Sequence, residues 1–387
     1  MTTPRANWNY PTSIRFGAGR IGELAEACLA SGIRKPLLVT DAGLANASIT
    51  TDALASLRAA GLDAELFADL KPNPVEANLN AGLLAYRDGG HDGVVAFGGG
   101  SGLDTGKLIA FMSGQSRPVW DYEDIGDWWT RADPDGIAPI VAVPTTAGTG
   151  SEVGRAGVLT DEKTHTKKII FHPKMMPRVV ICDPALTVGM PAKITAGTGM
   201  DALSHCLEAY CAPGYHPMAD GIAVEGMRLV KQALPRVHAQ PGDLEARGDM
   251  MTAAAMGATA FQKGLGGMHA LSHPVGALYD THHGMTNAVF MPYVLAFNRS
   301  AIEERIERLA AYLRLPRQDF AGFLDFILEL RASLSVPHTL EEFGVNGDRA
   351  GEIAAMAEAD PSAGGNPVKF DATAAGKVLD AALSGRV

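Results

Sequence analysis

The sequence predicts an α/β N-terminal half followed by an all-α C-terminal half. Three observations carry that prediction. Ahead of residue 190, short β-branched runs alternate with amphipathic helical stretches, the rhythm of parallel βαβ units. Past that point the strand-like runs vanish, and long Ala-, Leu- and Met-rich segments take over with helical periodicity. No internal repeat and no low-complexity linker separates the two textures, so the boundary reads as a packed hinge whose cleft is the default ligand site.

In chain order, PLLVT at 36–40 is the first apolar strand run, followed by a helical stretch through the fifties. AELFA at 64–68 precedes a second helix through the eighties, and GVVAF at 93–97, IVAV at 140–143 and VVIC at 179–182 complete the strand set. In the second half, segments 218–236, 244–262, 300–313 and 318–334 place apolar residues at helical spacing. The expected domains are therefore 1–190 and 191–387.

Composition narrows the class of function. The 387 residues are 47% hydrophobic and 20% charged, ordinary for a globular enzyme with proper cores. Lysines and arginines number 33 against 43 acids, a net charge of −10. That balance disfavours nucleic acid and anionic membranes as partners, because phosphate binding is dominated by basic charge. A small-molecule substrate is the expectation. The opening MTTPRANWNYPTSIRF has no apolar core of a secretion signal, and no later run approaches the roughly eighteen apolar residues of a membrane span, so the cytoplasm is the expected compartment. Cys28, Cys182, Cys206 and Cys211 form no CxxC pair and read as buried thiols.

Histidines concentrate in the second half. Asp201 and His205 stand four apart in GMDALSHCLEAY, so a helix projects both from one face. His269 and His273 repeat that spacing in GGMHALSHPVGALYD, and His283 follows just ahead of Gly284. Any one of these taken alone is more readily a helix-surface or core histidine. Together, one carboxylate and several neutral imidazoles suit a borderline cation such as Fe²⁺ or Zn²⁺. No His-Glu-x-x-His motif is present to decide the matter.

Two glycine-rich segments compete as a phosphate site. Gly17-Ala-Gly19-Arg-Ile-Gly22 satisfies G-x-G-x-x-G, with Asp41 about twenty residues on at the end of the next strand. Gly98-Gly99-Gly100-Ser101-Gly102 follows the apolar run GVVAF and precedes a helix expected to start near Leu103, where exposed amides would cradle a pyrophosphate. The second is favoured, although either serves as a plain strand-to-helix turn. A third segment, Pro144 to Glu152 (PTTAGTGSE), follows another strand and offers hydroxyls for a ribose, amide or phosphate.

These segments resemble the iron-activated, group III alcohol dehydrogenase family. GGGSGLDTGK 98–107, VPTTAGTGSEV 143–153, DPALT 183–187, GTGMDALSHCLEAY 197–210 and HALSHPVGALYDTHHGMTNA 269–288 match its signatures in order, from about Tyr10 to the C-terminus. The resemblance implies a Rossmann-like dinucleotide-binding domain and an all-α metal-binding domain, the dehydroquinate synthase-like fold shared with glycerol dehydrogenase and maleylacetate reductase. Asp201, His205, His269 and His283 match the family's metal ligands, with His282 where proline is common. His273 matches a histidine near the nicotinamide and metal and is the candidate proton relay, the other reading being a residue that only packs against the nicotinamide. Gly98, Gly99, Gly100, Ser101 and Asp104 resemble the pyrophosphate loop, and Thr145, Thr146 and Thr149 the nicotinamide-side loop. Lys167 and Leu186 match flanking contacts, and Asn73 a position near the adenosine ribose. Asp41 resembles the acid that accepts from a ribose 2′-hydroxyl, which favours NAD over NADP. The Gly17–Gly22 segment is then only an N-terminal turn.

The implied activity is hydride transfer between NAD(H) and a small alcohol or aldehyde, a primary alcohol, diol or hydroxy acid, assisted by Fe²⁺ or Zn²⁺. Three alternatives stand beside it: a maleylacetate-reductase-like, metal-independent reductase; a noncatalytic nucleotide-binding protein; and a lyase of the dehydroquinate synthase type. The retained Asp and three His weigh against the first two, and the short Asp201 carboxylate against the third. The family often dimerises through its N-terminal domain. Gly365-Asn366-Pro367-Val368 departs from the family at Val368, where a basic residue is common. The aromatic and acidic run Trp120–Trp129 reads as a surface loop, with a lid or subunit contact as the other readings.

Overall fold

The computed structural model describes Tyr10, residues 12–164 and residues 166–387. They fall into two compact units, one of residues 12–189 and one of Tyr10 with residues 190–387. Tyr10, expected in the first domain, belongs to the second unit, where its hydroxyl donates to the Met218 sulfur.

The first unit contains β1 (Ser13–Phe16), α1 (Leu24–Ala30), β2 (Pro36–Val39), α2 (Ser48–Ala59), β3 (Glu65–Phe67), α3 (Glu76–Asp88), β4 (Gly93–Gly98), α4 (Gly100–Met112), β5 (Ile140–Pro144), β6 (Ala156–Asp161), β7 (Thr166–Phe171) and β8 (Val179–Cys182). Six strands form one parallel sheet in the order β1-β8-β5-β4-β2-β3. β2, β4, β5 and β8 are buried throughout because both sheet faces are covered, which is why they read as unbroken apolar runs. Leu38, Val95, Phe97, Val141, Val143 and Ile181 pack with Leu24 and Cys28 of α1 and Leu57 of α2. On the other face α4 lies so close that a Cβ on Gly106 would stand 2.7 Å from Ala96 Cβ.

Chain connections run outward in opposite directions from β2 and β4, so the strand order reverses between them. Ligands of open α/β sheets bind at such a reversal, beyond the carboxyl ends of the strands. Two elements depart from the sequence expectation. β1 is a short edge strand whose residues are mostly exposed, so it lacks the apolar signature of its neighbours. β6 and β7 form a separate antiparallel hairpin, with Thr160 opposite Lys167, in a region expected to hold no strands.

The second unit is helical: α5 (Ala192–Cys211), α6 (Pro217–Ala239), α7 (Leu244–Ala260), α8 (Gly267–Tyr279), α9 (His283–Tyr312), α10 (Phe320–Ser333), α11 (Ala350–Ala359) and α12 (Ala372–Ser384). α5 is buried along most of its length against α6, α7 and α9. The expected helix at 300–313 is only the end of α9, which continues through Pro292. Proline inside a helical pattern marks a break from sequence alone, and here packing overrides it. No helix among the described residues is long and apolar enough to cross a membrane.

Candidate functional site

In the first unit the favoured glycine segment forms the junction between β4 and α4. Gly98 has φ 131° and Gly99 is the N-cap, so α4 starts at Gly100 rather than near Leu103. The glycines are therefore the first turn of the helix, and the amides of Gly100, Ser101 and Gly102 lie ahead of the first intrahelical bond, from Leu103 N to Gly99 O at 3.0 Å. That is the arrangement an anionic phosphate requires.

Close packing explains the residue type. A Cβ on Gly102 would lie 2.5 Å from the Phe97 carbonyl oxygen, and one on Gly100 2.9 Å from Thr149 Oγ1. A Cβ on Gly99 would stand 3.2 Å from Thr146 Cγ2. The loop after β5 is thus laid against the glycine turn, and Thr145 N donates to Gly98 O at 2.9 Å. Asp41, just past β2, accepts at Oδ1 from the Gly43 and Leu44 amides at 2.9 and 3.2 Å. Its Oδ2 lies 3.7 Å from the position of a Cβ on Gly98. Asp41, Gly98 to Ser101, Thr145, Thr146 and Thr149 are accordingly brought together at the sheet reversal.

Asp104, expected among the pyrophosphate-loop residues, turns its carboxylate inward. It accepts from the Ser151 hydroxyl and, at 3.1 Å, from the Val158 amide, and Lys107 Nζ lies 3.4 Å from it. Buried Lys107 donates to the Ser151 carbonyl at 2.9 Å and to that of Ala156. Burial lowers the Lys107 ammonium against the pull of Asp104, and burial pushes the adjacent Glu152 carboxyl up to about 7. These groups latch α4 to the loop after β5 and to β6.

Asn73 lies in the turn between β3 and α3, whose Pro74 carbonyl accepts from Thr160 N at 2.8 Å. Since Thr160 faces Lys167, the unforeseen hairpin carries Lys167 and Asn73 to the same place. Leu186 is buried beyond β8 in a short turn capped by Asp183, sharing a core with Val143 and Ile181. Asp183 also accepts from Ile21 N at 3.0 Å, so the Gly17–Gly22 segment is a turn fastened beside β8. The run Trp120–Trp129 is tied to β7: Asp124 N donates to Ile169 O at 2.8 Å, and Trp129 stands edge-on to Phe171.

In the second unit three helices each contribute a pair of residues one turn apart. α5 carries Asp201 and His205, α8 carries His269 and His273, and α9 carries His283 and Asn287. Glycine permits the approach: a Cβ on Gly284 would lie 2.2 Å from the Gly197 carbonyl oxygen and 2.8 Å from Asp201 Cβ. One ligand atom from each of Asp201, His205, His269 and His283 lies within 4.8 Å of all the others. Asp201 Oδ1 is 3.8 Å from His205 Nε2 and 3.6 Å from His283 Nε2.

Neighbours orient these groups. His269 Nδ1 lies 2.6 Å from Glu208 Oε2, so with Nδ1 donating, Nε2 presents its lone pair to the cluster. Burial, then the neighbouring His205, holds His269 well below the usual imidazole value, which keeps it neutral near pH 7. Burial raises the Glu208 carboxyl to about 7, opposed by the donors around it. Asn287 Nδ2 donates to Asp201 Oδ1 at 2.9 Å and lies 3.2 Å from Nε2 of both His269 and His283. His273 stands beside the cluster, its ring stacked on His283 with centroids 5.3 Å apart, and its Nδ1 is 2.8 Å from Asp360 Oδ2. Burial raises the Asp360 carboxyl, but His273 and Ser362 outweigh it and hold the group below the usual value. His282, which stands where the resemblance has proline, caps α9 by accepting from Met285 N at 3.3 Å. Asn366 accepts from Gly267 N at 3.1 Å and from Asn298 Nδ2 at 2.8 Å, which fastens the start of α8 to α9.

The donor set fits a borderline divalent cation: one carboxylate oxygen, three imidazoles, and no lysine or arginine among them. Asn287 Oδ1 and His205 Nδ1 are buried with no hydrogen-bond partner among the described residues, so protein groups alone leave the centre polar and incompletely satisfied. Sequence reasoning missed Glu208, Asn287 and Asp360. Glu208 continues the Asp201–His205 stripe and Asn287 is one turn from His283, so both carried a helical signal; Asp360 carried none.

Comparison with known proteins gives a consistent result. The model of the iron-containing alcohol dehydrogenases matches residues 11–184, and that of the C-terminal region of the Fe-containing alcohol dehydrogenase family matches residues 195–383. A 4-hydroxybutyrate dehydrogenase of Cupriavidus necator is 38% identical over 97% of this chain and 99% of its own. A 1,3-propanediol dehydrogenase of Citrobacter freundii is 38% identical over 92% of each chain. Among solved structures, a 1,3-propanediol oxidoreductase superposes with a TM-score of 0.93 at 34% identity, covering 98% of this chain and 100% of its own. A sulfoacetaldehyde reductase from Bifidobacterium kashiwanohense in complex with NAD⁺ superposes at 0.88 with 29% identity, covering 98% of each chain.

Proposed function

Because the chain belongs to the iron-containing alcohol dehydrogenase family, and is with it an NAD-dependent oxidoreductase of small alcohols and aldehydes, we propose that Asp201, His205, His269 and His283 hold its catalytic cation. The proposed substrate is a short primary alcohol with a second polar group at its far end, a diol or ω-hydroxy acid, with the matching aldehyde. Relatives named for 4-hydroxybutyrate and 1,3-propanediol support that class.

Fe²⁺ or Zn²⁺ held there would supply Lewis acidity toward the substrate oxygen, and NAD would take up or return the hydride. The chain's own groups do the rest. Asp201 offsets part of the cation's charge, and the three imidazoles are neutral donors fixed by packing. Asp360 holds the Nδ1 proton of His273, leaving Nε2 free to accept the alcohol proton or return it to an alkoxide. The amides of Gly100 to Gly102 receive the pyrophosphate and Thr145, Thr146 and Thr149 the nicotinamide side. Asp41 accepts from ribose hydroxyls and repels a 2′-phosphate. Lys167, Asn73 and Leu186 flank the nucleotide, and Asp104 acts through the latch with Ser151. A homo-oligomer is also proposed, supported by the open edge strand β1, which exposes Ile14 and Phe16. The cytoplasm suits its four buried free thiols.

The convergence of four ligand atoms from three helices carries this reading. The test is NADH formation from a panel of short alcohols, diols and hydroxy acids, on protein stripped of metal under anaerobic conditions and reloaded with Fe²⁺ or Zn²⁺, beside His269→Ala. Turnover that follows the metal and disappears in the variant is expected. Activity indifferent to both would overturn the reading in favour of the metal-independent reductase.

A further inference from the structure

Glu208 is a buried carboxylate that the proposed chemistry does not use. It lies on the same face of α5 as Asp201 and His205, one turn beyond the latter. Oε1 accepts from Met268 N at 2.7 Å and Oε2 lies 2.6 Å from His269 Nδ1. The carboxylate therefore closes the N-terminus of α8 and fixes the ring of that helix's first histidine with two separate oxygens. It is 5% exposed, so water does not compete for either bond. The fit leaves no slack, since a Cβ on neighbouring Gly266 would come within 3.1 Å of Oε1.

We infer that Glu208 is the positioning residue that makes His269 a cation ligand: it holds the proton on Nδ1 and turns the Nε2 lone pair into the cluster. This rests on the cluster being a cation site. The physical argument is one of tautomers. A neutral imidazole has one donor nitrogen and one acceptor; ionised Glu208 can only accept, and it already takes Met268 N at Oε1, so in that form it forces the donor to be Nδ1. Glutamine cannot do the same. Its single carbonyl oxygen serves either Met268 N or His269 Nδ1. In the first case its amide N–H faces Nδ1 and drives the imidazole proton to Nε2, where a cation must bind. In the second an N–H meets the Met268 N–H, and the start of α8 loosens.

The test uses the full-length protein, stripped of metal and titrated with Co²⁺ or Zn²⁺ alone against a chromophoric chelator, as wild type, Glu208→Gln and His269→Ala. Loss of outer carboxylate partners typically costs 10–100-fold in metal affinity, and a weakening of that size in Glu208→Gln is expected, with altered Co²⁺ visible bands. NADH affinity should be unchanged. A merely structural role would lower the melting temperature of the metal-free protein and leave the Co²⁺ bands of the loaded variant as in wild type, overturning the inference. If wild type binds no metal, or His269→Ala binds as tightly as wild type, the cluster reading fails and the inference with it. Should Glu208→Gln not fold, the Zn²⁺-loaded wild type still decides: the inference requires a His269 Nδ1–H proton in its nitrogen–proton NMR spectrum, and its absence would overturn it.

Discussion

The two halves of this chain build their sites from different materials. The cradle at the end of β4 is made mostly of backbone: free amides at the start of α4, and glycines set by what a side chain would strike, such as the Phe97 carbonyl 2.5 Å from a Cβ on Gly102. The centre among α5, α8 and α9 is made of side chains, seven polar residues at helical spacing whose identities are the chemistry. A backbone site tolerates changes in side-chain chemistry and fails on added volume. A side-chain site does the opposite, except where its helices touch at Gly197 and Gly284.

The largest effects should come from crossing the two. Asp201→Asn removes the only carboxylate among the four proposed ligands, and turnover should fall by about three orders of magnitude or more, the scale of losing a metal's electrostatic role. NADH affinity, read by fluorescence titration, should stay within about twofold. Gly102→Ala should instead weaken NADH by about 100-fold or more, roughly 2.7 kcal/mol, while Co²⁺ still binds. If each variant damaged both functions equally, the sites would not be independent in the way their materials suggest.

That contrast also explains what could be read in the sequence. Parallel strands covered on both faces announce themselves as GVVAF and VVIC, and residues one turn apart on a helix announce the Asp-His cluster. β6 and β7 were not legible because each groups only three or four apolar residues at one end, AGVL and IIF, beside polar ones, and several of those apolar residues are half-exposed, so neither a strict alternation nor a long buried run forms. Asp360 was not legible because it reaches His273 from 87 positions away, through tertiary packing alone. The inward turn of Asp104 was hidden for a related reason: its partners Ser151 and Val158 belong to later segments, and position in a motif does not say which way a side chain faces.

The latch offers an intermediate effect. Lys107→Met keeps the buried stem but removes the donor shared by the Ser151 and Ala156 carbonyls. Leaving buried acceptors unpaired costs roughly 1–3 kcal/mol each, so NADH affinity should drop by about tenfold or more with Co²⁺ affinity unchanged. Unaltered NADH binding would mean that the loops hold their shape without the latch. A smaller change is expected at Asp41. Asp41→Asn removes the charge that repels a 2′-phosphate, so the ratio of kcat/KM for NAD over NADP should fall by about tenfold, or 1.4 kcal/mol. An unchanged ratio would assign the discrimination to another residue.

The smallest effect compares two buried carboxyls, Glu152 and Glu208, both raised by burial to about 7 from a usual 4.5. Glu208 faces the cation centre through His269, whereas the first opposing charge for Glu152 is Lys107, itself lowered by burial. A carboxyl whose value is raised on folding favours the folded state fully below pH 4.5, and loses that contribution as pH climbs through about 7, because the unfolded chain has already released its proton. Glu152→Gln removes the titration and keeps the shape. The variant's melting temperature should therefore gain on wild type as pH rises from 5 to 8. The gap should be the same with or without Zn²⁺, since Glu152 lies in the unit that carries none of the ligands. A gap independent of pH would show that Lys107 holds Glu152 ionised in the folded protein. A gap that closed on adding Zn²⁺ would reveal coupling between the backbone-built and side-chain-built sites, which their separate construction does not require.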